Sequence, residues 1–223
     1  MAMAPADDSA LPVQAVHEDA DILVLRKPAG LLCVPGRGPD KQDCLSARAQ
    51  QRWPGALIVH RLDQATSGLV LMARHIDAQR RLGLAFEQRQ VHKRYVAVVQ
   101  GHMGQADGGT WAEIDLPIAA DWERRPLRVI DAALGKPSLT RWRAESHDES
   151  ASTTRVLLEP VTGRTHQLRV HLAAVGHAIL GDALYADAAT QALAPRLLLH
   201  ASDLALAHPA TGEPLQFHLA PDF

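Results

Sequence analysis

The sequence predicts an α+β fold in which a mixed, largely antiparallel central sheet is flanked by helices. Two observations carry this prediction. Short apolar runs typical of strands outnumber the segments with helical periodicity, and the two kinds of segment do not alternate strictly, as they would in a doubly wound fold. Because 47% of the 223 residues are apolar, the chain can build one sizeable core, or two lobes that share one.

The first half of the chain is predicted to hold three strands and two helices. An apolar run at residues 22–25 ends in a turn, which indicates a strand. Asp43 is predicted to cap a helix that ends at Arg52. Apolar side chains at helical spacing, with arginines on the opposite face, predict a second helix over residues 77–89. The remaining strands are expected at residues 68–73 and 95–99.

The second half is predicted to be richer in strands. A helix over residues 164–175 is expected to end at Gly176, which can form a left-handed C-terminal cap. Turn-forming segments separate apolar runs on both sides of this helix. The predicted strands cover residues 110–116, 139–144, 155–158, 197–200, 201–207 and 215–217.

The sequence shows no internal repeat and no long linker, so we expect one domain over residues 15–223, preceded by a flexible tail at residues 1–14. No apolar run reaches the length of about 18 residues that predicts a membrane span, and the N-terminal segment lacks the features of a targeting signal. Cys33 and Cys44 form neither a disulfide framework nor a CxxC pair. We therefore expect a cytoplasmic protein.

The charge distribution is uneven. The net charge of −2 argues against a nucleic-acid partner, but residues 48–94 carry nine basic and three acidic residues. Arginine accounts for 19 of the 23 basic residues, and its planar guanidinium suits phosphate recognition and base stacking. A GC-rich genome that favours arginine codons is the alternative explanation. The local excess of positive charge is therefore compatible with RNA binding without proving it.

The most informative segment is residues 60–70, HRLDQATSGLV, a polar loop that leads into an apolar strand. Loops of this kind often carry functional side chains. Taken alone, Asp63 before Thr66, Ser67 and Gly68 is more often a turn former whose carboxylate bonds the nearby backbone. Both interpretations stay open on the loop sequence by itself.

This loop resembles the catalytic signature HRLDxxTSGL of the RluA family of pseudouridine synthases, with every specified position present. Further segments resemble family motifs in family order from about residue 20 to the end of the chain, which chance does not explain. They are Lys27-Pro28-Ala29-Gly30-Leu31, Lys93-Arg94-Tyr95-Val96-Ala97, the string GRTHQLRVH at residues 163–171, Gly176-His177, Gly181-Asp182, Leu198-Leu199-His200-Ala201 and His208-Pro209.

The resemblance implies the pseudouridine synthase catalytic fold, with a bent sheet, an RNA-binding cleft and no separate N-terminal RNA-binding domain. The family's reaction detaches uracil from ribose, turns the base and rejoins it through carbon. It involves no net redox change, so neither a cofactor nor a metal is implied. It needs an ionised carboxylate that acts as nucleophile or base. By resemblance Asp63 is this group, Arg164 is its cationic partner, and Tyr95 lies under the uracil ring.

The resemblance also implies base flipping, in which Arg61 fills the gap that the flipped uridine leaves. The side chains expected to bind substrate are His60, Arg61, Leu62, Thr66, Lys93, His166, Arg169 and Leu199. The basic side chains Arg48, Arg52, Arg80, Arg81, Arg89 and Arg94 are candidate phosphate contacts, although a solvated helix face explains each of them as well.

Within the family the sequence resembles the namesake most closely. This implies action on a tRNA anticodon stem-loop and a large-subunit rRNA stem-loop. We expect a monomer, although the sequence does not fix the oligomeric state. Two rival functions stay open, namely a non-catalytic RNA-binding or ribosome-assembly factor and a metal-dependent hydrolase. The histidines at positions 60, 166 and 171 lack the spacing of known zinc motifs, which disfavours the hydrolase.

Overall fold

The computed structural model describes residues 13–104 and 109–223. Its strands in chain order are β1 (Gln14–Glu18), β2 (Ile22–Lys27), β3 (Leu57–Ile58), β4 (Ser67–Ala73), β5 (His92–Gln100), β6 (Ala112–Asp115), β7 (Ile118–Ala120), β8 (Arg128–Ile130), β9 (Leu139–Asp148), β10 (Thr153–Pro160), β11 (Leu199–Ala207) and β12 (Pro214–His218). Its helices are α1 (Leu45–Arg52), α2 (Ile76–Glu87), α3 (Gln167–Ala174) and α4 (Ala188–Ala192), with a 3-10 turn at Pro39–Lys41.

The chain divides into two compact units. The first comprises the described residues up to Lys93 together with Ala201–Asp222. Its strands follow the order β1-β2-β4-β11, while β3 pairs with β4 and β12 pairs with β11. The pairs β1–β2, β2–β4, β3–β4 and β11–β12 are antiparallel. All seven residues of β4 are buried, because strands flank it and α2 packs against it.

The core of the first unit forms where α2 lies against this sheet. Ala78 and Leu82, four residues apart on one face of α2, are its buried positions. They join apolar side chains of β2, β4 and β11 in one cluster. Full burial of a side chain as large as leucine stabilises the fold by about 1.5–3 kcal/mol. The buried members are Ile22, Val24, Leu69, Leu71, Ala73, Ala78, Leu82, Val91, Leu204 and Leu206.

The second unit comprises Arg94–His200 and Phe223. Its strands follow the order β5-β10-β9-β6 with antiparallel pairing, and β7 and β8 form a separate antiparallel pair. Helix α3 contacts β8, β9 and β10. Six of its eight residues are buried, so it is an interior helix. The predicted α+β class with a largely antiparallel sheet is confirmed.

The prediction for the first helix is confirmed except at its cap. Helix α1 begins at Leu45, and Cys44 caps it by accepting a hydrogen bond from the Ala47 N–H at 3.5 Å. Asp43, the predicted cap, instead accepts a hydrogen bond from Arg48 Nε at 2.6 Å. The ion pair with an arginine on the helix competes for the Asp43 carboxylate, which leaves the capping position to the next residue.

The helix predicted from residue 164 begins three residues later, at Gln167. His166 has a left-handed backbone conformation, with φ of 57°, which cannot continue a right-handed helix. The end of this helix is as predicted, because Gly176 has φ of 86°.

The sequence analysis did not predict several short elements, and two strands that it predicted separately form one strand. Residues 197–200 and 201–207 contribute to the single strand β11. The sequence did not predict β1, β3, β7, β8 or α4, which are too short or too polar to show a clear period. Most of the predicted tail, residues 1–12, lies outside the described residues, and the single-domain boundary stays a prediction. Within the described part of the chain, none of the helices has the length and apolarity needed to cross a membrane.

Candidate active site

Asp63 lies on the loop that precedes β4, between two buried residues. Leu62 and Thr66 are buried, while Asp63 itself is half-buried and Arg61 is exposed. The Thr66 N–H donates to the Asp63 carbonyl at 3.1 Å, which closes the loop into a tight turn. Asp63 is thus accessible to a substrate, yet it is held by backbone that is packed on both sides.

A buried lysine holds this loop through a hydrogen bond to its backbone. Lys27 at the end of β2 is fully buried, and its ammonium donates to the carbonyls of Gln64 at 2.9 Å and Pro28 at 2.8 Å. Burial lowers the pKa of Lys27 to about 8, and the nearby Cys33 and Asp63 act in the opposite direction. A positive charge held beside Asp63 stabilises negative charge on the loop.

The turn after β2 and the Asp63 loop are also joined directly. Gly30 N–H donates to the Gln64 carbonyl at 2.8 Å, and the Gln64 side-chain amide donates back to the Gly30 carbonyl at 2.9 Å. The Leu62 N–H donates to the buried Cys33 thiol at 3.2 Å. Burial raises the pKa of Cys33, so its sulfur serves here as a neutral acceptor.

The sequence analysis placed Lys27 only at the end of a strand, before a turn. It did not predict that Lys27 would support the loop that carries Asp63. One signal was present. A lysine that ends the run ILVLRK must place its charge either in solvent or against a partner, because fully buried lysines are rare unless paired.

Gly68 brings the start of β4 against β11. Its φ is 120°, and a Cβ at this position would lie 2.3 Å from the Ala201 carbonyl oxygen. Such a distance is impossible for a real side chain, so only glycine permits this approach. The glycine of the motif TSGL is therefore explained by packing in the first unit.

His60, a predicted substrate-binding residue, anchors the loop to β4. Its Nε2 accepts a hydrogen bond from the Leu71 N–H at 2.9 Å, and its ring stacks on Phe86 with centroids 4.8 Å apart. The Lys93 ammonium also lies over the Phe86 ring, 5.7 Å from its centroid. Burial, reinforced by the charge of Lys93, lowers the pKa of His60 to about 3, so the ring is neutral.

The other predicted catalytic residues lie in the second unit. Tyr95 is buried on β5, opposite Leu158 of β10. Arg164 is exposed, and its Nε and Nη2 both donate to the Pro137 carbonyl at 3.3 Å. Leu199, a predicted substrate contact, is buried at the start of β11.

Gln167 organises the turn that carries Arg164. Its buried side-chain oxygen accepts hydrogen bonds from the Thr162 hydroxyl at 2.7 Å and from the Arg164 N–H at 3.0 Å. Its amide donates to the Leu139 carbonyl at 2.9 Å and to the Thr140 hydroxyl at 3.0 Å. The sequence analysis did not single out this residue, although it lies in the motif string at residues 163–171 that also contains Arg164.

His166 and Arg169 make internal contacts in the same segment. The His166 Nδ1 lies 2.7 Å from the Tyr185 hydroxyl. The Arg169 guanidinium is buried and donates to both carboxylate oxygens of Asp182, with an Nε to Oδ2 distance of 2.8 Å. This pair engages two nitrogen atoms of the guanidinium, Nε and Nη2. Arg169 thus stabilises this segment, and its predicted contact with substrate stays a prediction.

Comparison with known proteins identifies the family. The model of the family described as RNA pseudouridylate synthase matches residues 21–174. The dual-specificity RNA pseudouridine synthase RluA of Yersinia pestis is 44% identical over 208 residues, which cover 93% of this chain and 98% of that protein. RluA of Haemophilus ducreyi is 43% identical over 211 residues, which cover 95% of this chain and 94% of that protein. This chain belongs to the RNA pseudouridylate synthase family.

Solved structures agree with this membership. Human RNA Pseudouridylate Synthase Domain Containing 1 matches with a TM-score of 0.79 and 30% identity over 99% of this chain and 87% of that one. Human RNA Pseudouridylate Synthase Domain Containing 4 matches with a TM-score of 0.71 and 25% identity over 93% and 88%. The resemblance read from the motifs is confirmed. The chain is an RNA pseudouridine synthase, an isomerase that acts on RNA.

Most arginines predicted to contact phosphate in this synthase also make contacts within the protein. Arg52 Nη1 donates to the Val13 carbonyl at 3.2 Å, and Arg81 Nη1 donates to the Pro209 carbonyl at 2.7 Å. Arg48 pairs with Asp43, Arg80 with Asp77 and Arg94 with Glu159. Arg89 ends the turn after α2 with φ of 59°. Their RNA contacts stay predictions.

One cluster of the first unit has the composition of a metal site. Asp19, Asp21 and His208 place one donor atom each within 4.8 Å of one another. However, the His208 Nδ1 accepts hydrogen bonds from the Ala210 and Thr211 N–H groups, both at 3.2 Å. The proton therefore resides on Nε2, which faces Asp19 at 3.3 Å and has no lone pair for a cation. The cluster fits a hydrogen-bonded network better than a metal site.

Proposed function

We propose that Asp63 is the catalytic carboxylate of this synthase, and that its substrates are uridines in a tRNA anticodon stem-loop and in a large-subunit rRNA stem-loop. The observation that carries the proposal is the loop itself. Its half-buried carboxylate interacts electrostatically with the buried Lys27 ammonium, and that ammonium is fixed by two carbonyls. Such an arrangement holds a negative charge in a defined place, as the reaction requires.

The reaction is an exchange of one bond for another within the same nucleotide. The bond between ribose C1′ and uracil N1 breaks, the base rotates, and C1′ bonds to C5. The proton on C5 then leaves while N1 gains one, so atoms and electrons balance without a redox partner. Asp63 attacks the pyrimidine ring, attacks the sugar, or removes a sugar proton, and each of these routes uses the ionised carboxylate.

Tyr95 and Arg164 complete the proposed catalytic set on the strength of the family motifs. We assign Tyr95 to the face of the uracil ring, where it helps to remove the C5 proton, and Arg164 to the stabilisation of negative charge. Base stacking contributes about 1–3 kcal/mol, which offsets part of the few kcal/mol needed to unstack a nucleotide. Arg61, exposed on the same loop as Asp63, is proposed to occupy the gap in the RNA.

The target RNAs rest on similarity to the RluA proteins, whose name describes dual specificity. The test is to map pseudouridine chemically in tRNA and rRNA from cells that lack this chain. We expect one anticodon stem-loop site and one large-subunit rRNA site to disappear. Losses confined to other RNAs would overturn the substrate assignment but leave the isomerase activity in place. A cytoplasmic location, where these RNAs occur, is part of the same proposal.

The catalytic assignment is tested with Asp63→Asn, which keeps the side-chain shape and removes the charge. We expect turnover to fall by roughly 10⁴-fold or more, equivalent to about 5 kcal/mol, while RNA affinity changes little. Asp77→Asn, on the exposed face of α2, is the matched control and should retain full activity. Comparable pseudouridine yield from Asp63→Asn and wild type would falsify the assignment and favour a non-catalytic RNA-binding role for the scaffold.

A further inference from the structure

The β7–β8 hairpin presents an aromatic and a cationic side chain to solvent at its tip, residues 121–127. Trp122 is 72% exposed, although tryptophan is among the side chains most stabilised by burial. The Arg125 guanidinium lies 4.0 Å from the centroid of the Trp122 ring, close enough for a cation–π contact. The tip therefore carries a flat surface with a positive charge attached to it.

Hydrogen bonds within the tip hold this surface in shape. The Arg124 N–H donates to Asp121 Oδ1 at 3.0 Å, and its guanidinium Nε donates to Oδ2 at 2.7 Å. The Asp121 N–H donates to the Leu127 carbonyl at 3.1 Å, and the Leu127 N–H donates to the Arg124 carbonyl at 2.9 Å. A tip ordered in advance loses little conformational entropy when it binds.

The hairpin is attached to the segment of the second unit that carries Arg164. The Arg128 N–H donates to the Tyr185 hydroxyl at 2.9 Å, and this hydroxyl lies 2.7 Å from His166 Nδ1. At the other strand, Ile118 exchanges backbone hydrogen bonds with Lys136, next to the Pro137 carbonyl that Arg164 contacts. RNA bound at Arg164 would thus pass close to elements that support the hairpin.

We propose that the hairpin tip binds the substrate RNA beside the modified uridine, with Trp122 stacked on an unpaired base and Arg125 placed against a phosphate. This inference rests on the proposed function and adds a substrate-selecting contact to it. The chemistry favours RNA because an exposed indole offers every base a stacking face, and a guanidinium suits phosphate geometry. Bases of a stem-loop that are unpaired are the ones available for such stacking.

Exposure alone does not carry this proposal, because single exposed apolar side chains are common on protein surfaces. Leu134 illustrates the difference. It is 80% exposed in the turn after β8, but it offers neither a planar ring nor a charge. Leu134→Ala is therefore a matched control for Trp122→Ala, since both remove an exposed apolar side chain from neighbouring turns of the same unit.

The experiment measures binding and chemistry separately. The RNA is an anticodon stem-loop transcribed in vitro, chosen from a tRNA that loses pseudouridine in cells without this chain. Its affinity is measured by fluorescence anisotropy at several salt concentrations, and the rate of pseudouridine formation is measured in single turnovers at saturating RNA. Trp122→Ala, Trp122→Phe, Arg125→Ala and Leu134→Ala are compared with wild type, and thermal unfolding confirms that each variant folds.

We expect Trp122→Ala to weaken RNA binding by about tenfold or more, Trp122→Phe to weaken it less, and the single-turnover rate at saturation to stay within about twofold. Arg125→Ala should weaken binding and reduce the salt dependence by about one phosphate contact. Leu134→Ala should behave as wild type. Equal affinity of Trp122→Ala and wild type would overturn the inference.

Two further outcomes are informative. A concentration-dependent dimer of the wild-type protein that Trp122→Ala abolishes would assign the tip to a second copy and overturn the RNA assignment. Wild-type protein that forms no pseudouridine in any tRNA or rRNA would overturn the proposed function itself. Because the inference is read from variants of an active wild type, its failure and that of the proposed function are distinguishable.

Discussion

The loop that carries Asp63 and the turn that carries Arg164 are each held by one buried polar side chain, but the two side chains differ in charge. Lys27 fixes the Asp63 loop with an ammonium that donates to two carbonyls. Gln167 fixes the Arg164 turn with a neutral amide that makes four hydrogen bonds. A neutral amide can only define shape, whereas a buried cation also sets the local potential and titrates.

Under the proposed function, the two segments meet different requirements. The proposed role of Asp63 requires a negative charge that is held in place, and the buried cation of Lys27 serves both needs. For its proposed role the Arg164 turn needs only a defined backbone that positions the guanidinium. Variants of the two supporting residues should therefore differ in how activity depends on pH.

The largest effect is expected for Lys27→Met, which keeps the length of the side chain and removes the charge. We expect kcat to fall about 10- to 100-fold, because the carboxylate loses its neighbouring cation and the loop shifts. Two opposed effects act on the free energy of unfolding. The Pro28 carbonyl loses its donor, which costs about 1–3 kcal/mol, while the penalty of burying the ammonium disappears, so the net change should be smaller than this cost. Lys41→Met, at an exposed position of the same unit, is the control and should change neither quantity.

The titration of Lys27 gives a second test of its role, through the pH dependence of stability and activity. Its pKa of about 8 in the fold lies below its ordinary value of 10.5, so the buried ammonium destabilises the fold below pH 8. This penalty is relieved as the pH rises from about 8 to 10.5. Relative to Lys27→Met, wild type should therefore gain stability over this range while it loses activity. If the stability and the activity of the two proteins changed with pH in the same way, the charge of Lys27 would be irrelevant. Both supporting residues would then serve only to fix the backbone.

A smaller effect is expected for Gln167→Met, which has nearly the same volume. It leaves the Arg164 N–H without its acceptor, so the free energy of unfolding should fall by about 1–3 kcal/mol. Activity should fall through displacement of the Arg164 turn, by the same factor at pH 7 and at pH 9. The exposed Gln191→Met serves as control. A pH-dependent loss in Gln167→Met would contradict the proposed contrast between the two segments.

The smallest effect at neutral pH concerns His60. Its pKa of about 3 in the fold lies below its ordinary value of 6.5, so the neutral ring contributes stability above pH 6.5 that is lost as the pH falls towards 3. The free energy of unfolding of wild type should therefore fall by about 2 kcal/mol between pH 7 and pH 5. Chemical denaturation of His60→Gln should show a flatter pH profile, whereas the exposed His92→Gln should follow wild type. Identical profiles for wild type and His60→Gln would refute the buried neutral state.

The sequence predicted the longer elements because their periods are visible in a single segment. β4 and α2 show this clearly, since a buried apolar run and an apolar face at helical spacing need no knowledge of the neighbours. β1 and β7 were missed because their residues become strands only through a partner strand. The start of α3 was missed because His166 adopts a left-handed conformation that nothing in its local sequence requires.

The candidate site was predicted in part for a similar reason. Asp63, Tyr95 and Arg164 were named from motifs, and their catalytic roles stay predictions. Lys27 and Gln167 escaped notice because their importance lies in hydrogen bonds to residues 37 and 28 positions away along the chain. The pairing of Arg169 with Asp182 was likewise not visible in the sequence, and the predicted substrate contact of Arg169 stays a prediction.

The sequence by itself determined the family, the type of reaction and the α+β class, because these depend on residue types at defined spacings and on local periodicity. Only the tertiary structure decided which polar side chains support the loops that carry Asp63 and Arg164. The reason is physical. A buried charge or amide is stable only when its partners lie within hydrogen-bond distance, and folding brings those partners from remote parts of the chain.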